Sequence, residues 1–437
     1  DGRSEDRQLL LDAVMAATEH LVITYTGANE HSGARRPPAV PLGELLDAAD
    51  RITAEPVGDA ILTRHPLQAY DPRNLKAGDP STDPPEWAIP ELRGPTLRPF
   101  SFDGAALAGA RAAAGVRRPV PPLLPVDLPL RTGDDVSLED LVRFLMHPVR
   151  TFLRDRLDVS TPFEPDELVD AIPVSLDSLE VWQVGDHLLR ELLAGQDAEA
   201  VMTAEQLRGT LPPYRLGERA LAGVTEECQR LWTSTVELRT GARRSIDVDV
   251  DLGDGRRLTG TVAGVYGTKL VSLGYSRLKA KQRLRTWVEL LALSASDPDQ
   301  SWTGHAVGRE RAGPKRALTG PLDERAADWL RSLVELRDVG LSKPLPLPVA
   351  TSAAWAEEHA RGLRGADADE KRAARREWET DRFAGGASFS KEDEDAYHVR
   401  VFGPRATVES LLDAGLPTYA WQVWEPLLSG VEKVGPL

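Results

Sequence analysis

The sequence contains a single cysteine, Cys228, among its 437 residues. A disulfide framework needs several cysteines and a four-thiolate zinc or iron–sulfur site needs four, so both are excluded. The sequence also lacks a run of eighteen apolar residues, the length that a membrane-spanning helix requires. We therefore expect a soluble protein of the reducing cytoplasm, with no contact to a membrane.

Positive charge is in deficit. The sequence has 53 Lys and Arg against 68 Asp and Glu, a formal net charge of -15 at pH 7. Proteins that coat DNA nonspecifically bind phosphates through Lys and Arg, so the charge balance argues against that class and leaves only a local basic patch. One such patch has five cations within nine residues: Arg277, Lys279, Lys281, Arg283 and Arg285.

The first 75 residues have the pattern of the end of an α/β domain. Ser4 to His20 begins with a capping Ser4 and repeats apolar residues at helical spacing, which predicts a helix. Leu21 to Tyr25 is apolar throughout, which is typical of a strand buried in a parallel sheet. The helical pattern begins at once and no initiator Met precedes it, so we expect a piece of a longer protein.

Prolines become dense between about residues 80 and 129 and exclude a continuous helix or a central strand there. We interpret this stretch as a linker that contains one short helix, Ala105 to Ala114. The predicted organisation is therefore an α/β domain end over residues 1–75, a Pro-rich linker over 76–134 and a second α/β domain over 135–437.

The second domain carries the clearest strand signals. Residues Ser245 to Leu252 alternate apolar and acidic side chains, and Gly253 to Gly255 predict a turn into a second strand, Arg257 to Val265. A third strand, Lys269 to Leu273, precedes a long helix from Leu278 to Leu293. Apolar spacing and β-branched runs predict the other elements: helices over Leu138 to Leu157, Ser175 to Leu193, Asp323 to Leu336 and Ala353 to Leu363, and a strand over His398 to Phe402.

Two groups of residues bear on whether the chain binds a metal. Asp247, Asp249 and Asp251 alternate along one strand, although an outer strand with a solvated acidic face gives the same pattern. The histidines His65, His147, His187 and His305 lack the spacing of metal ligands. The sequence therefore predicts no metal site.

Four segments of the sequence stand out: Ala17 to Gly27, His65 to Leu75, Leu141 to Leu157 and Gly340 to Ala356. Together they resemble RecC-type subunits of the bacterial RecBCD complex, and they occur in the order found in that family. The resemblance spans most of the chain. It implies the end of a degenerate RecA-like helicase domain, followed by a nuclease-like α/β domain of the PD-(D/E)XK class with an inactive site.

The segment that resembles a helicase motif lacks that motif's arginine. Glu5 to Tyr25 is similar to the last motif of UvrD-like helicases, in which an arginine reaches the ATP γ-phosphate. Ala16 occupies that position, and Thr18 occupies the position of the motif's second arginine. A methyl group cannot pair with phosphate, so the resemblance implies that this site does not hydrolyse ATP.

The segments that resemble a nuclease also lack the residues that such nucleases use for catalysis. Leu258 to Ala263 is similar to the LxGxID strand of RecB-type nucleases, with Ala263 in place of the metal-binding aspartate. Val271 to Tyr275, with Leu273 at its centre, stands where those enzymes have DYK. The two missing acids would bind Mg²⁺ and the missing lysine would help to position the attacking water. The resemblance thus implies no catalytic residue and no metal ligand at Ala263 or Leu273.

The family therefore implies a noncatalytic subunit of an ATP-dependent exodeoxyribonuclease V complex. It would hold RecB-type and RecD-type partners and guide unwound strands from double-strand ends during DNA repair by recombination. ATP and Mg²⁺ would be bound by the partners, with no cofactor in this chain. The five clustered cations would be its DNA-binding residues.

Two alternatives stay open. An AddB-like active nuclease subunit shares the overall layout, but it needs four cysteines and an intact pair of acids. A pure protein-interaction module without DNA contact predicts instead that the face from Arg277 to Arg285 is buried against protein.

Overall fold

The computed structural model describes residues 2–29, 34–57, 61–62, 65–66, 68–75, 101–116, 123–131, 133–161, 175–253, 255–381 and 390–437. The chain divides into an N-terminal unit, Asp1–Val120, and a C-terminal unit, Pro121–Leu437. Much of the predicted linker, residues 76–100, lies outside the described ranges. Within those ranges every helix is too short or too polar to cross a lipid bilayer.

Apart from one isolated β-bridge, the regular secondary structure described in the N-terminal unit is helical. Its helices are α1 (Gly2–Ala16), α2 (Val40–Ile52), α3 (Pro72–Leu75) and α4 (Gly104–Ala114). The first predicted helix is confirmed in α1, and the short helix predicted inside the linker is confirmed in α4. Asp103 fixes the start of α4, because its carboxylate accepts hydrogen bonds from the backbone N–H groups of Ala105 and Ala106.

The strand predicted at Leu21 to Tyr25 is wrong. These residues form no strand, and their side chains are exposed, Val22 to 84%. A strand of a parallel sheet needs strands beside it. The described part of the N-terminal unit offers only an isolated bridge between Ala28 and Arg35, so this apolar run has nothing to pair with. The RecA-like domain that it was expected to end stays a prediction.

The C-terminal unit is built on a mixed seven-stranded sheet. Its strands are β1 (Val136–Ser137), β2 (Arg244–Asp251), β3 (Arg257–Tyr266), β4 (Lys269–Arg277), β5 (Thr303–Arg309), β6 (Lys315–Thr319) and β7 (Glu432–Pro436). Strand β3 pairs along one edge with β2, and along the other with β1 and then with β4. From β4 the sheet continues through parallel β5 to antiparallel β6 and β7.

The predicted hairpin of β2 and β3 is confirmed. Asp251 pairs with Arg257, and Gly253 and Gly255 both take positive φ in the turn between them. The acidic side chains of β2 lie on its exposed face. There Asp249 accepts a hydrogen bond from the Arg257 guanidinium at 2.7 Å, and Asp247 accepts one from the Thr261 hydroxyl at 2.7 Å. This is the solvated face of an outer strand.

Helices cover both faces of the sheet, so the predicted α/β class is confirmed. They are α5 (Leu138–Met146), α6 (Pro148–Leu157), α7 (Ser178–Leu193), α8 (Ala198–Leu207), α9 (Arg215–Ser234), α10 (Ala280–Ser296), α11 (Ala326–Ser342), α12 (Val349–Leu363), α13 (Glu370–Trp378), α14 (Ala396–Phe402), α15 (Val408–Asp413) and α16 (Leu416–Pro426). Consecutive β4 residues show the two faces: Leu270 packs in the cluster with α10, and Val271 packs in the cluster with α7 and α9.

Two further predictions need correction. The helix predicted over Leu138 to Leu157 is two helices that meet at His147, because Pro148 disfavours helical backbone in the residue before it. The strand predicted at His398 to Phe402 is part of α14. The Asp395 carboxylate caps that helix by accepting hydrogen bonds from the N–H groups of Tyr397 and His398, and this cap outweighs the strand preference of the two valines.

Candidate functional site

Strands β3 and β4 diverge and form what we call the fork: Thr261–Gly264 of β3 and Val271–Tyr275 of β4. The two strands pair only beside their turn, at Val265 with Leu270 and at Tyr266 with Lys269. Gly264 is an extra residue in the ladder with β2 and has φ of 78°. A Cβ there would lie 3.1 Å from the Val271 carbonyl oxygen, so the two arms approach closely at this point.

The fork carries the two positions that the resemblance to RecB-type nucleases aligns with metal-binding acids. Ala263 lies on the β3 arm with its side chain exposed, and Leu273 lies half-buried on the β4 arm. Neither side chain can ligate a cation. The one group of three metal-type ligands in the described residues lies elsewhere, at the start of α14.

Helix α7 lies directly against the β4 arm. A Cβ at Gly185 would fall 2.3–2.5 Å from three ring atoms of Tyr275, so only glycine allows this contact. One turn earlier, the Trp182 indole N–H donates to the Ser276 hydroxyl at 2.8 Å. The Tyr275 ring is 2% exposed, and this burial raises the pKa of its phenol above the ordinary value.

Helix α9 holds α7 in place from behind. The Cys228 thiol is fully buried and donates to the Gly185 carbonyl at 3.4 Å. Burial raises the pKa of Cys228 to about 12, so this sulfur stays a thiol and is not a nucleophile at neutral pH. Between α7, α9 and β4 lies an open cavity of about 550 Å³, on whose wall the Arg309 guanidinium stacks 4.3 Å above the Tyr275 ring.

The five clustered cations do not share one helix. Arg277 is the last residue of β4, and Lys279 immediately precedes α10. Lys281 and Arg285 are exposed and lie four residues apart on α10, one above the other on its surface. Arg285 pairs with Glu289 at 3.0 Å, whereas Lys281 makes no ion pair with any described residue.

Arg283 is not part of an exposed surface. Its side chain is 10% exposed, and its Nε lies 3.0 Å from both carboxylate oxygens of Glu432 on β7. A second ion pair joins it to Glu357 of α12. Burial alone would lower the pKa of Arg283, but the two carboxylates raise it above the ordinary value. Assigning Arg283 to a DNA-facing patch is therefore wrong: its charge is neutralised inside the unit.

The other predicted positions lie on other elements. Ala16 is the last residue of α1, in the N-terminal unit, and is exposed. His305 is buried on β5, and burial, with smaller contributions from Arg316 and Lys269, lowers its pKa to about 4.

Sequence reasoning missed a cluster of titratable groups. His147, Asp395 and His398 bring their ligand atoms within 4.8 Å of one another. His147 is 248 residues from Asp395, so no spacing rule connects them. The one sequence signal was the D-x-x-H spacing of Asp395 and His398, which on a helix brings both side chains to one face.

Comparisons with known proteins give the family. The family model described as the RecC C-terminal domain matches residues 133–360, which include the whole fork. Relatives named RecBCD enzyme subunit RecC are 43% identical in Mycobacterium tuberculosis and in Mycolicibacterium smegmatis, over 99% of this chain. The relative of the same name in Escherichia coli is 28% identical over 81% of the chain.

The chain therefore belongs to the RecC family, and it contains that family's C-terminal domain. It spans about two fifths of the length of its mycobacterial relatives, 38% and 39%. The predicted family is confirmed.

Proposed function

We propose that this chain is part of a RecC-type subunit of a RecBCD-type helicase–nuclease, and that it acts without catalysis of its own. It would hold RecB-type and RecD-type partners and guide unwound strands while broken DNA ends are processed for recombination. ATP and Mg²⁺ would be bound by those partners. The relatives named as RecC subunits of the RecBCD enzyme support the assignment to the complex.

The fork supports the noncatalytic part of the proposal. Mg²⁺ prefers oxygen ligands, and a nuclease of this class needs two carboxylates at the two arms. The fork has a methyl group at Ala263 and an isobutyl group at Leu273. A single acid restored at Ala263 would also have no carboxylate opposite it, because the β4 arm, Val271–Tyr275, has no acidic residue.

We predict that the purified chain has no Mg²⁺-dependent nuclease activity on linear single-stranded or double-stranded DNA. Because Ala263 and Leu273 cannot bind the metal, Ala263→Asp alone should also leave the chain inactive. The measurement is end-labelled DNA on a denaturing gel, with a known Mg²⁺-dependent nuclease as the positive control. Cleavage that disappears on Ser272→Ala or on Tyr275→Phe would place a working site at the fork and refute the proposal.

The strand-guiding part of the proposal depends on the exposed cations that remain once Arg283 is set aside. Arg277, Lys279, Lys281 and Arg285 are exposed around the junction of β4 and α10. We call these four residues the basic junction. In a chain of net charge -15 they form a local positive potential immediately beyond the β4 arm of the fork.

We predict that Lys281→Glu with Arg285→Glu, in the assembled complex, weakens single-strand binding and flattens its salt dependence. If both residues contact phosphate, the slope of log K against log salt should fall by about 1.4. The control is Arg372→Glu with Arg376→Glu, the same charge change at the same spacing on exposed positions of α13. Fluorescence anisotropy at several salt concentrations measures both. An equal loss in the control would mean that only net charge matters.

One alternative function has a specific observation in its favour. The charge of Arg283 is neutralised by internal carboxylates, and Arg285 pairs with Glu289. This is what a protein-interaction module without DNA contact would show. In that case the charge reversal on α10 disrupts assembly with the partner subunits and leaves the salt slope of DNA binding unchanged. Size-exclusion chromatography of the complex distinguishes the two functions. The AddB-like nuclease has no such support, because the fork lacks its acids.

A further inference from the structure

His147, Asp395 and His398 form a compact cluster where the junction of α5 and α6 meets the start of α14. His147 Nε2 lies 3.1 Å from Asp395 Oδ1, and the two imidazole rings lie 4.6 Å apart, inclined by 34°. His147 is 7% exposed and His398 is 3% exposed, whereas the Asp395 side chain is about one third exposed. The cluster is therefore buried on the histidine side and open on the carboxylate side.

The hydrogen bonds of His398 determine its tautomer. Its Nδ1 lies 2.7 Å from the backbone carbonyl oxygen of Glu392, and a carbonyl can only accept, so Nδ1 carries the proton. Nε2 then has a free lone pair. That atom is buried and has no hydrogen-bond partner among the described residues. A histidine whose Nδ1–H is held by a backbone carbonyl is oriented in the way that metal-binding histidines are.

We propose that this cluster is a binding site for a divalent transition metal, best suited to Zn²⁺, with His147, Asp395 and His398 as ligands. Two imidazole nitrogens and one carboxylate are a ligand set that Zn²⁺ takes in proteins. A fourth position would face the open side at Asp395, where water or a small anion can bind. The charge also fits, because a divalent cation would neutralise a half-buried carboxylate that stands beside two neutral rings.

The protons balance without any outside acid or base. The Nδ1 of His147 accepts a hydrogen bond from the Arg150 N–H at 3.2 Å, so the Nε2 proton points to Asp395. When the metal takes Nε2, the ring shifts to the Nδ1–H tautomer through exchange with water, and no net proton is released. The shift gives up this capping hydrogen bond at the start of α6 and sets the His147 Nδ1–H against the Arg150 N–H, so the first turn of α6 would have to move when the metal binds. The metal in return would join two segments that lie 248 residues apart in the chain.

The test uses the full chain after removal of metals with a chelator. We expect one equivalent of Co²⁺ to bind and to give the visible d–d absorption of nitrogen and oxygen ligation, and Zn²⁺ to displace it and to raise the melting temperature. His398→Gln should weaken Co²⁺ binding at least tenfold. Asp395→Asn should weaken it as well, while its amide oxygen still caps α14, so a folding defect and a ligand loss can be separated.

His359→Gln is the matched control. His359 Nδ1 lies 3.1 Å from Glu370, which is the same pairing of an imidazole with a carboxylate, and no third metal-type ligand joins it among the described residues. Binding and spectrum should be unchanged in this variant. The proposal is overturned if the wild-type chain takes up no Co²⁺, or if the spectrum survives both His398→Gln and Asp395→Asn.

Discussion

Arg283→Met is expected to lower the free energy of unfolding of the C-terminal unit by about 3–5 kcal/mol. The Glu432 side chain is 3% exposed, and without the guanidinium it would be left as a buried, unpaired charge. Glu357 is affected less, because it is 44% exposed and can be solvated. Chemical denaturation, followed by the fluorescence of the buried tryptophans, measures the change.

Two variants separate the buried charge from loss of packing. Arg283→Met with Glu432→Leu replaces both charges by apolar groups and should recover most of the lost stability. Arg257→Met removes a cross-strand ion pair in which both side chains are about half exposed, and it should shift the denaturation midpoint little. If Arg283→Met is no worse than Arg257→Met, the Arg283–Glu432 pair does not hold β7 to α10.

Gly185→Ala is expected to lift α7 from the sheet at a cost of roughly 2–3 kcal/mol, because the added methyl would overlap the Tyr275 ring. The helix preference of alanine over glycine, about 1 kcal/mol, works in the opposite direction and does not relieve the overlap. The Trp182–Ser276 hydrogen bond would lengthen with the same movement. Gly185→Ala with Tyr275→Leu removes ring atoms from the contact and should restore part of the loss.

Cys228 is a built-in probe for this movement, since it is the only cysteine in the sequence and is fully buried beneath α7. A loss of 2–3 kcal/mol should speed its reaction with a thiol reagent roughly 30- to 150-fold if labelling follows local opening. Gly223→Ala on α9 is the control, because a Cβ there meets nothing within 4 Å. Equal labelling rates for wild type and Gly185→Ala would show that α7 does not guard the β4 arm.

The parts of the fold that follow from short-range pattern could be predicted. The alternation of β2 and the two turn glycines determine a hairpin almost by themselves. Leu21 to Tyr25 shows the limit of this reasoning. An apolar β-branched run specifies a strand only when neighbouring strands are there to pair with it, and none is described beside it.

The parts of the site that depend on distant residues could not be predicted. Nothing near Gly185 signals that Tyr275, 90 positions later, fills the space above it. Arg283 has the same local sequence context as Lys281 and Arg285, and only the return of β7 with Glu432 shows that it is an internal residue. The histidine cluster could not be predicted for the same reason, because Asp395 and His147 come into contact only in the folded unit.

The order of strands in the sheet has a consequence for synthesis. Thr319 of β6 pairs with Glu432, so the outer edge of β6 stays uncovered while the roughly 110 intervening residues are made. At 5–20 residues per second this interval lasts about 5–20 s. During that time β6 presents unpaired backbone N–H and C=O groups to any other nascent chain. Strand β7 thus covers the free edge of β6, and that edge is protected from edge-to-edge pairing only when residues 432–436 have left the ribosome.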